Sequence, residues 1–327
     1  MGRLLEVDGL VTEFDVEGGA IRPVNEVSFH LDDGEAVCLV GESGCGKSMA
    51  ALSIMGLIPA AGRVASGRIL FRDRNLPDLT DMEMRKIRGK EVAMVFQEPM
   101  TSLNPVFTIG NQIAEAVLVH EKVSKKAAME RAVELLERVA IPDPKARAAA
   151  YPHQLSGGMR QRAMIAMALS CGPSLLIADE PTTALDVTIQ AQFLDLLRRL
   201  QGETGMAVLL ITHDLGVVAE FASRVYVLYC GRVVERAPTK ALFDDPKHPY
   251  TAGLMQSVPT LTGDRSGRLR TIEGVVPDLR SLPRGCAFEE RCPLAREECS
   301  LAVPPMRELP GGRAARCVLY PTEASHG

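Results

Sequence analysis

The chain has 327 residues, 46% hydrophobic and 24% charged, enough apolar material for about two domains at roughly 150 residues each. Thirty-seven Lys and Arg against 41 Asp and Glu leave a net charge of −4, which argues against a strongly basic nucleic-acid binder. Eight cysteines are too few to dominate a chain of this length and too many to pass over.

In chain order, the opening Met1-Gly2-Arg3-Leu4-Leu5-Glu6 carries charges where a secretory signal needs an apolar core, and Glu6 stands where a myristoylation motif needs Ser or Thr. No apolar run approaches the ~20 residues of a membrane span, so a cytosolic chain with reduced thiols is expected. Short strand-like runs recur at residues 4–10, 36–40, 68–71, 92–96, 175–179, 207–212 and 224–229. The runs at 175 and 207 are continuously apolar, as in strands covered on both faces. Between 124 and 140, Ala132, Leu135, Leu136 and Val139 make one helical stripe, with Ser124 as N-cap and Pro142 and Pro144 as the stop. Strands alternating with helices imply an α/β domain with a largely parallel sheet, and about 100–172 reads as an inserted helical subdomain. Eleven of the 21 prolines and four of the eight cysteines lie beyond residue 236. The expected organisation is therefore a nucleotide-binding domain over 1–236 and a smaller, irregular extension over 237–327.

Gly41-Glu42-Ser43-Gly44-Cys45-Gly46-Lys47-Ser48 fits the P-loop pattern between an apolar strand and a helix-like run from Met49. Its backbone N–H groups suit phosphate oxygens, Lys47 suits the β- and γ-phosphates, and the Ser48 hydroxyl suits Mg²⁺. Cys45 reads as a small residue tolerated at a variable position, although a helix N-terminus would lower its thiol pKa and make it reactive. The strand 175–179 ends in two acids. Asp179 is expected near Mg²⁺, through water, and Glu180 is free to orient or deprotonate an attacking water.

Leu155-Ser156-Gly157-Gly158-Met159-Arg160-Gln161, together with Gln97, Asp186 and His213, resembles the ABC-transporter ATPases. That resemblance implies a P-loop ABC ATPase fold, a RecA-like core with a helical subdomain, binding ATP and Mg²⁺. It implies that Ser156, Gly157, Gly158 and Gln161 form the signature facing the γ-phosphate, and that Gln97 senses Mg²⁺ and water. Asp186 then belongs to the D-loop, and His213 is the switch histidine on the γ-phosphate. Phe14 falls where the family keeps an aromatic that stacks on adenine. No catalytic position is degenerate, so an active ATPase is expected. One P-loop and one signature per chain imply a head-to-tail pair with a second ATPase subunit, either this chain or a homologue.

Two stretches narrow the resemblance to the oligopeptide/dipeptide/nickel importer branch: Phe96-Gln97-Glu98-Pro99-Met100-Thr101-Ser102-Leu103-Asn104-Pro105 and His248-Pro249-Tyr250-Thr251. Cys286, Cys292, Cys299 and Cys317 resemble that branch's C-terminal cysteine motif, which in some members binds a [4Fe–4S] cluster. Their C-x5-C-x6-C-x17-C spacing lacks paired C-x2-C knuckles, favouring iron–sulfur over zinc as a structural staple for a module with little core. Unliganded thiols are the remaining alternative. Cys38 and Cys171, in apolar runs, read as small buried hydrophobes, and Cys230 simply follows a strand.

The resemblance implies an importer motor subunit on the cytoplasmic face of the membrane. Its partners would be two integral permease subunits and, indirectly, a solute-binding protein. Peptides are the expected cargo, and no nucleic acid is expected. The rival is a soluble ABC ATPase acting on nucleic acid or ribosomes, which usually needs two cassettes, coiled-coil arms or basic surfaces.

Overall fold

The computed structural model describes residues 2–97, 102–183, 186–257 and 272–320. From the N-terminus, strands β1 (Arg3–Val16), β2 (Gly19–Asp32) and β3 (Ala36–Val40) lead to helix α1 (Lys47–Met55). Strands β4 (Gly62–Phe71) and β5 (Arg74–Asn75), helix α2 (Asp81–Ile87) and strand β6 (Val92–Val95) follow. Helices α3 (Ile109–His120), α4 (Lys125–Arg138), α5 (Pro144–Ala148) and α6 (Gly157–Ala168) then run without an intervening strand. Strand β7 (Leu175–Asp179), helix α7 (Val187–Thr204), strand β8 (Ala207–Thr212) and helix α8 (Leu215–Phe221) restore the alternation. Strands β9 (Arg224–Tyr229) and β10 (Arg232–Pro238) lead to helices α9 (Thr239–Asp244), α10 (Pro249–Gln256) and α11 (Glu298–Leu301), and strands β11 (Arg307–Leu309) and β12 (Arg313–Ala315) come last.

The chain divides into two compact units. The first comprises Met1–Leu5, Leu31–Ala36 and Phe71–Ile211. In it β7 pairs in parallel with β6, Leu175 opposite Val92, and with β8, Leu175 opposite Ala207. Every residue of β7 and β8 is buried, as their unbroken apolar runs predict. Helix α4 buries Ala132, Leu135 and Leu136, and its N-cap Ser124 accepts from the Ala127 N–H. The stripe and cap expected for this helix are therefore both present.

The second unit comprises Glu6–His30, Val37–Leu70 and Thr212–Gly327. Here β3 lies parallel to β9, and β10 pairs antiparallel with β9 on one side and β12 on the other. Strand β11 closes that edge against β12. The order β11–β12–β10–β9–β3 has a consequence for the expected boundary near 237, which falls inside β10. The C-terminal extension continues the sheet instead of standing apart, because β10 offers β12 an open ladder of N–H and C=O groups. The strands β2, β10, β11 and β12 carry no signal that the sequence reading found. β2 contains Pro23 and a left-handed Glu26 (φ 56°), and β11 and β12 are three residues each.

No helix among the described residues is long and apolar enough to cross a membrane.

Candidate active site

In the second unit, β3 runs straight into the phosphate loop. A Cβ on Gly41 would stand 2.2 Å from the Leu228 carbonyl oxygen. Gly46 has φ 104°, and a Cβ there would meet the Pro23 oxygen at 2.0 Å. Only glycine fits these two positions, which lets the loop curl tightly before α1. No side chain caps α1, so its first-turn N–H groups face the loop as an anion site. Lys47 is buried, and its Nζ donates to the carbonyls of Gly41 at 2.8 Å and Glu42 at 3.0 Å. Ser48 and Met49 continue α1. Cys45 is buried, and burial drives its thiol pKa up despite nearby Lys47, so it behaves as a small packing residue and not as a nucleophile.

Phe14 is half-buried on β1, and its ring lies where a Cβ on Gly62 would come within 2.6 Å of it. His213 follows β8 and is exposed; Asp214, next to it, caps α8 by accepting from Gly216 and Val217.

In the first unit, the parallel arrangement brings the residues after β6 and β7 to one sheet edge. Gln97 Nε2 donates to Glu180 Oε2 at 3.1 Å, and the Thr183 hydroxyl donates to the same oxygen at 3.0 Å. The Glu180 N–H donates to the Ile211 carbonyl at 2.8 Å, and Glu180 sits at φ 44°, a left-handed conformation uncommon for a non-glycine residue. Its neighbour Asp179 is buried. Thr183 is a contact the sequence reading missed, since nothing in a lone Thr distinguishes it.

The signature folds as a capped helix start. Ser156 is the N-cap of α6 and accepts from the Met159 N–H. A Cβ on Gly157 would meet nothing within 4 Å, and one on Gly158 would stand 3.3 Å from Ile189 Cγ2. Gln161 is buried, and its Oε1 has no partner among the described residues. Asp186 caps α7, accepting from the Ile189 N–H at 2.9 Å. Glu98 to Thr101, the core of the stretch after Gln97, lie outside the described residues, as do Ala184 and Leu185.

The His-Pro-Tyr-Thr stretch is a helix start built on a buried acid. Glu235 on β10 is fully buried and accepts from the backbone N–H groups of Lys247 and His248, both at 2.7 Å. His248 Nδ1 then caps α10 by accepting from Tyr250, and Pro249 takes the first helical position, where no N–H is needed. The Tyr250 hydroxyl reaches back to accept from the Glu42 N–H in the phosphate loop.

None of the eight cysteines is in a disulfide. Cys38 is buried in β3 and burial raises its pKa far above the usual thiol range. Cys286, Cys292, Cys299 and Cys317 line one small cavity together with His248 and Phe288. Burial lifts the Cys286 thiol to about 11, and the three other cysteines add to the rise. Among the described residues, however, no group of three or more His, Cys, Asp or Glu side chains is arranged to hold a metal ion. The expected metal-binding module is thus not borne out as a preformed ion site.

Comparison with known proteins agrees with this geometry. A family model described as ABC transporter matches residues 24–183, and one described as oligopeptide/dipeptide transporter, C-terminal region, matches 234–299. A putative peptide import ATP-binding protein of Brucella melitensis is 54% identical, covering 97% of this chain and 97% of its own length. The oligopeptide transport ATP-binding protein AppD of Bacillus subtilis is 52% identical over 99% of each chain. The chain belongs to the oligopeptide/dipeptide branch of the ABC-transporter ATPases. A dimeric ATP-binding cassette solved in a post-hydrolysis state, bound to ADP and Pi, shares the fold of this ABC-transporter ATPase. Its TM-score is 0.65 at 29% identity, covering 72% of this chain and 98% of its own. As an ABC-transporter ATPase the chain couples ATP hydrolysis to transport, which favours the importer reading over the nucleic-acid alternative. In this ABC-transporter ATPase the P-loop and His213 belong to one compact unit; Gln97, Asp179, Glu180 and the signature belong to the other.

Proposed function

We propose that the chain is the motor subunit of a peptide importer, working on the cytoplasmic face of a membrane as one half of an ATPase pair bound to two permease subunits. The observation that carries this reading is the Gln97–Glu180 hydrogen bond, which ties the loop after β6 to the carboxylate after β7. Lys47 holds the β- and γ-phosphates, and the first-turn N–H groups of α1 take up their charge. The Ser48 hydroxyl and, through water, Asp179 would hold Mg²⁺, which would further neutralise the phosphates when bound. Glu180, fixed by Gln97 and Thr183, orients the attacking water and takes its proton. His213 meets the γ-phosphate, and Phe14 stacks on adenine.

Ser156, Gly157 and Gly158 would complete the site of a second subunit, with Asp186 beside them. The open space around Gly157 supports this, because nothing among the described residues requires glycine there. ATP touching both halves favours the closed pair, and hydrolysis releases it. The helical stretch about 100–150 and the groove near Gln97 would pass closure to the permeases. Peptide cargo is supported by the names of the relatives in Brucella melitensis and Bacillus subtilis. Replacing Glu180 by Gln tests the core of the reading: nucleotide binding should persist and turnover should vanish, and steady hydrolysis by that variant would remove Glu180 as the base.

We further propose that Cys286, Cys292, Cys299 and Cys317 hold a structural [4Fe–4S] cluster in preference to zinc. Four thiols around one cavity support a shared ligand. Their C-x5-C-x6-C-x17-C spacing lacks the paired C-x2-C knuckles common around a single zinc. A cluster asks less, because each thiolate binds its own iron and the sulfurs stand farther apart. Anaerobically purified protein should absorb near about 400 nm with stoichiometric iron; stoichiometric zinc without that band would exclude the cluster.

A further inference from the structure

The phosphate loop is held from outside at Cys45, whose carbonyl accepts from the Gly231 N–H at 3.0 Å, and more extensively at Glu42. Glu42 occupies a position where the P-loop pattern accepts any side chain, yet all three of its polar groups are engaged. Its carboxylate receives a two-pronged bond from Arg291, Nη1 to Oε2 at 2.8 Å and Nη2 to Oε1 at 3.0 Å. Its backbone N–H donates to the Tyr250 hydroxyl at 2.9 Å. Its carbonyl accepts from Lys47 Nζ at 3.0 Å. Two of these partners lie in the C-terminal extension, and the third is the P-loop lysine.

Arg291 is committed to this contact. Its side chain is 5% exposed against 27% for Glu42. Nη1 also donates to the Tyr229 hydroxyl at 3.2 Å, and Nε donates to the Glu273 carbonyl at 3.1 Å. The guanidinium stands 5.8 Å from the ring centroids of both Tyr229 and Phe288. A forked, largely desolvated Arg–carboxylate pair of this kind is among the stronger polar contacts in proteins and fixes orientation as well as charge. Phe288 and Cys292, on either side of Arg291 in sequence, line the cysteine cavity, so the order of that segment reaches the loop through one side chain.

We propose that Arg291 is a positioning residue for the phosphate loop: it neutralises and orients Glu42, and through Glu42 places the peptide that receives Lys47. The inference rests on reading residues 41–48 as the ATP site. Without Arg291, an unpaired carboxylate sits in the loop that must accept a polyphosphate, and like charges oppose binding. Without the Glu42 charge but with Arg291 present, no such repulsion arises. The two removals are therefore unequal, and the second repairs the first.

The test is equilibrium binding of a fluorescent ATP analogue with Mg²⁺ to the full chain, with thermal midpoints recorded alongside. Arg291→Ala should raise Kd about tenfold, and Arg291→Lys, which keeps the charge and loses the fork, about threefold. Glu42→Gln, which loses the fork but leaves no unpaired carboxylate, should weaken binding about twofold, less than Arg291→Ala, and the double variant Arg291→Ala/Glu42→Gln should return to within about threefold of wild type. An unchanged Kd for Arg291→Ala, or a double variant as weak as Arg291→Ala, would overturn the proposal. If Arg291→Ala does not fold, Arg291→Lys with and without Glu42→Gln makes the same comparison: about threefold weakening that Glu42→Gln relieves supports the proposal, and no weakening, or weakening that persists, overturns it. Failure of the underlying ATP-site reading looks different: Lys47→Ala would then bind nucleotide as tightly as wild type.

Discussion

The side-chain amide of Gln97 lies 3.1 Å from Glu180 Oε2, so the loop following one parallel strand holds the carboxylate that follows the next. In the proposed mechanism the amide supplies orientation and no charge, whereas the carboxylate supplies the base. Glu180→Gln should therefore lower turnover by at least about 100-fold with ATP affinity intact, and Gln97→Ala by about tenfold. Single-turnover hydrolysis set beside nucleotide binding separates the two effects. Retention of half the wild-type rate by Glu180→Gln would place the base elsewhere.

The open flank of Gly157 leads to a second expectation. Alanine there should leave the isolated chain's thermal midpoint unchanged or slightly raised, because its Cβ meets nothing and alanine favours helix. In the assembled transporter the same change should cut ATPase activity about tenfold or more, because the methyl group intrudes between signature and nucleotide. Equal loss of stability and activity would make the glycine merely structural.

Glu235 carries the third. It is a fully buried carboxylate that accepts two backbone N–H groups from the start of α10. Glu235→Ala orphans both donors and should destabilise the second unit by about 3 kcal/mol. Denaturant unfolding would measure this, and a change under about 1 kcal/mol would mean that water replaces the carboxylate.

Acid sensitivity is the fourth. Burial pushes the His248 imidazole down to about 4, so it stays neutral in the folded chain while the unfolded chain takes up a proton near about 6.5. Its contribution is complete above about pH 6.5 and is lost as pH falls toward 4, by at most about 3 kcal/mol. Glu235, raised by its own burial, titrates in the opposite sense: between about pH 4.5 and its raised folded value, it stabilises as pH falls. His248→Asn keeps a cap for Tyr250 and removes the titration, so the difference between its Tm–pH curve and that of the wild type isolates the histidine. Parallel curves between pH 7 and 4.5 would contradict this.

The proposed site residues are legible because they sit in contiguous words of sequence, at a strand end or a helix start. Gly41 to Ser48, Asp179-Glu180 and Leu155 to Gln161 need no tertiary knowledge to be noticed. The apolar runs of β7 and β8 likewise announce buried parallel strands. What escaped was set by distance or by brevity. Glu42 and Arg291 are 249 residues apart and each is unremarkable alone. Strands β11 and β12 have three residues each, too few for any alternation to register, and they exist because β10 offers them a partner. Gln161 belongs to a recognisable word, yet its burial is a property of packing around α6, which no word reveals.

The pairing of β10 with β12 bears on how far the chain can be trimmed. Ending it near residue 237, where composition changes, would not release a smaller working motor. It would strip the covering strand from β10 and present a raw sheet margin of unpaired N–H and C=O groups, which invites stacking with other copies. Such shortened chains should precipitate or assemble indiscriminately through that margin.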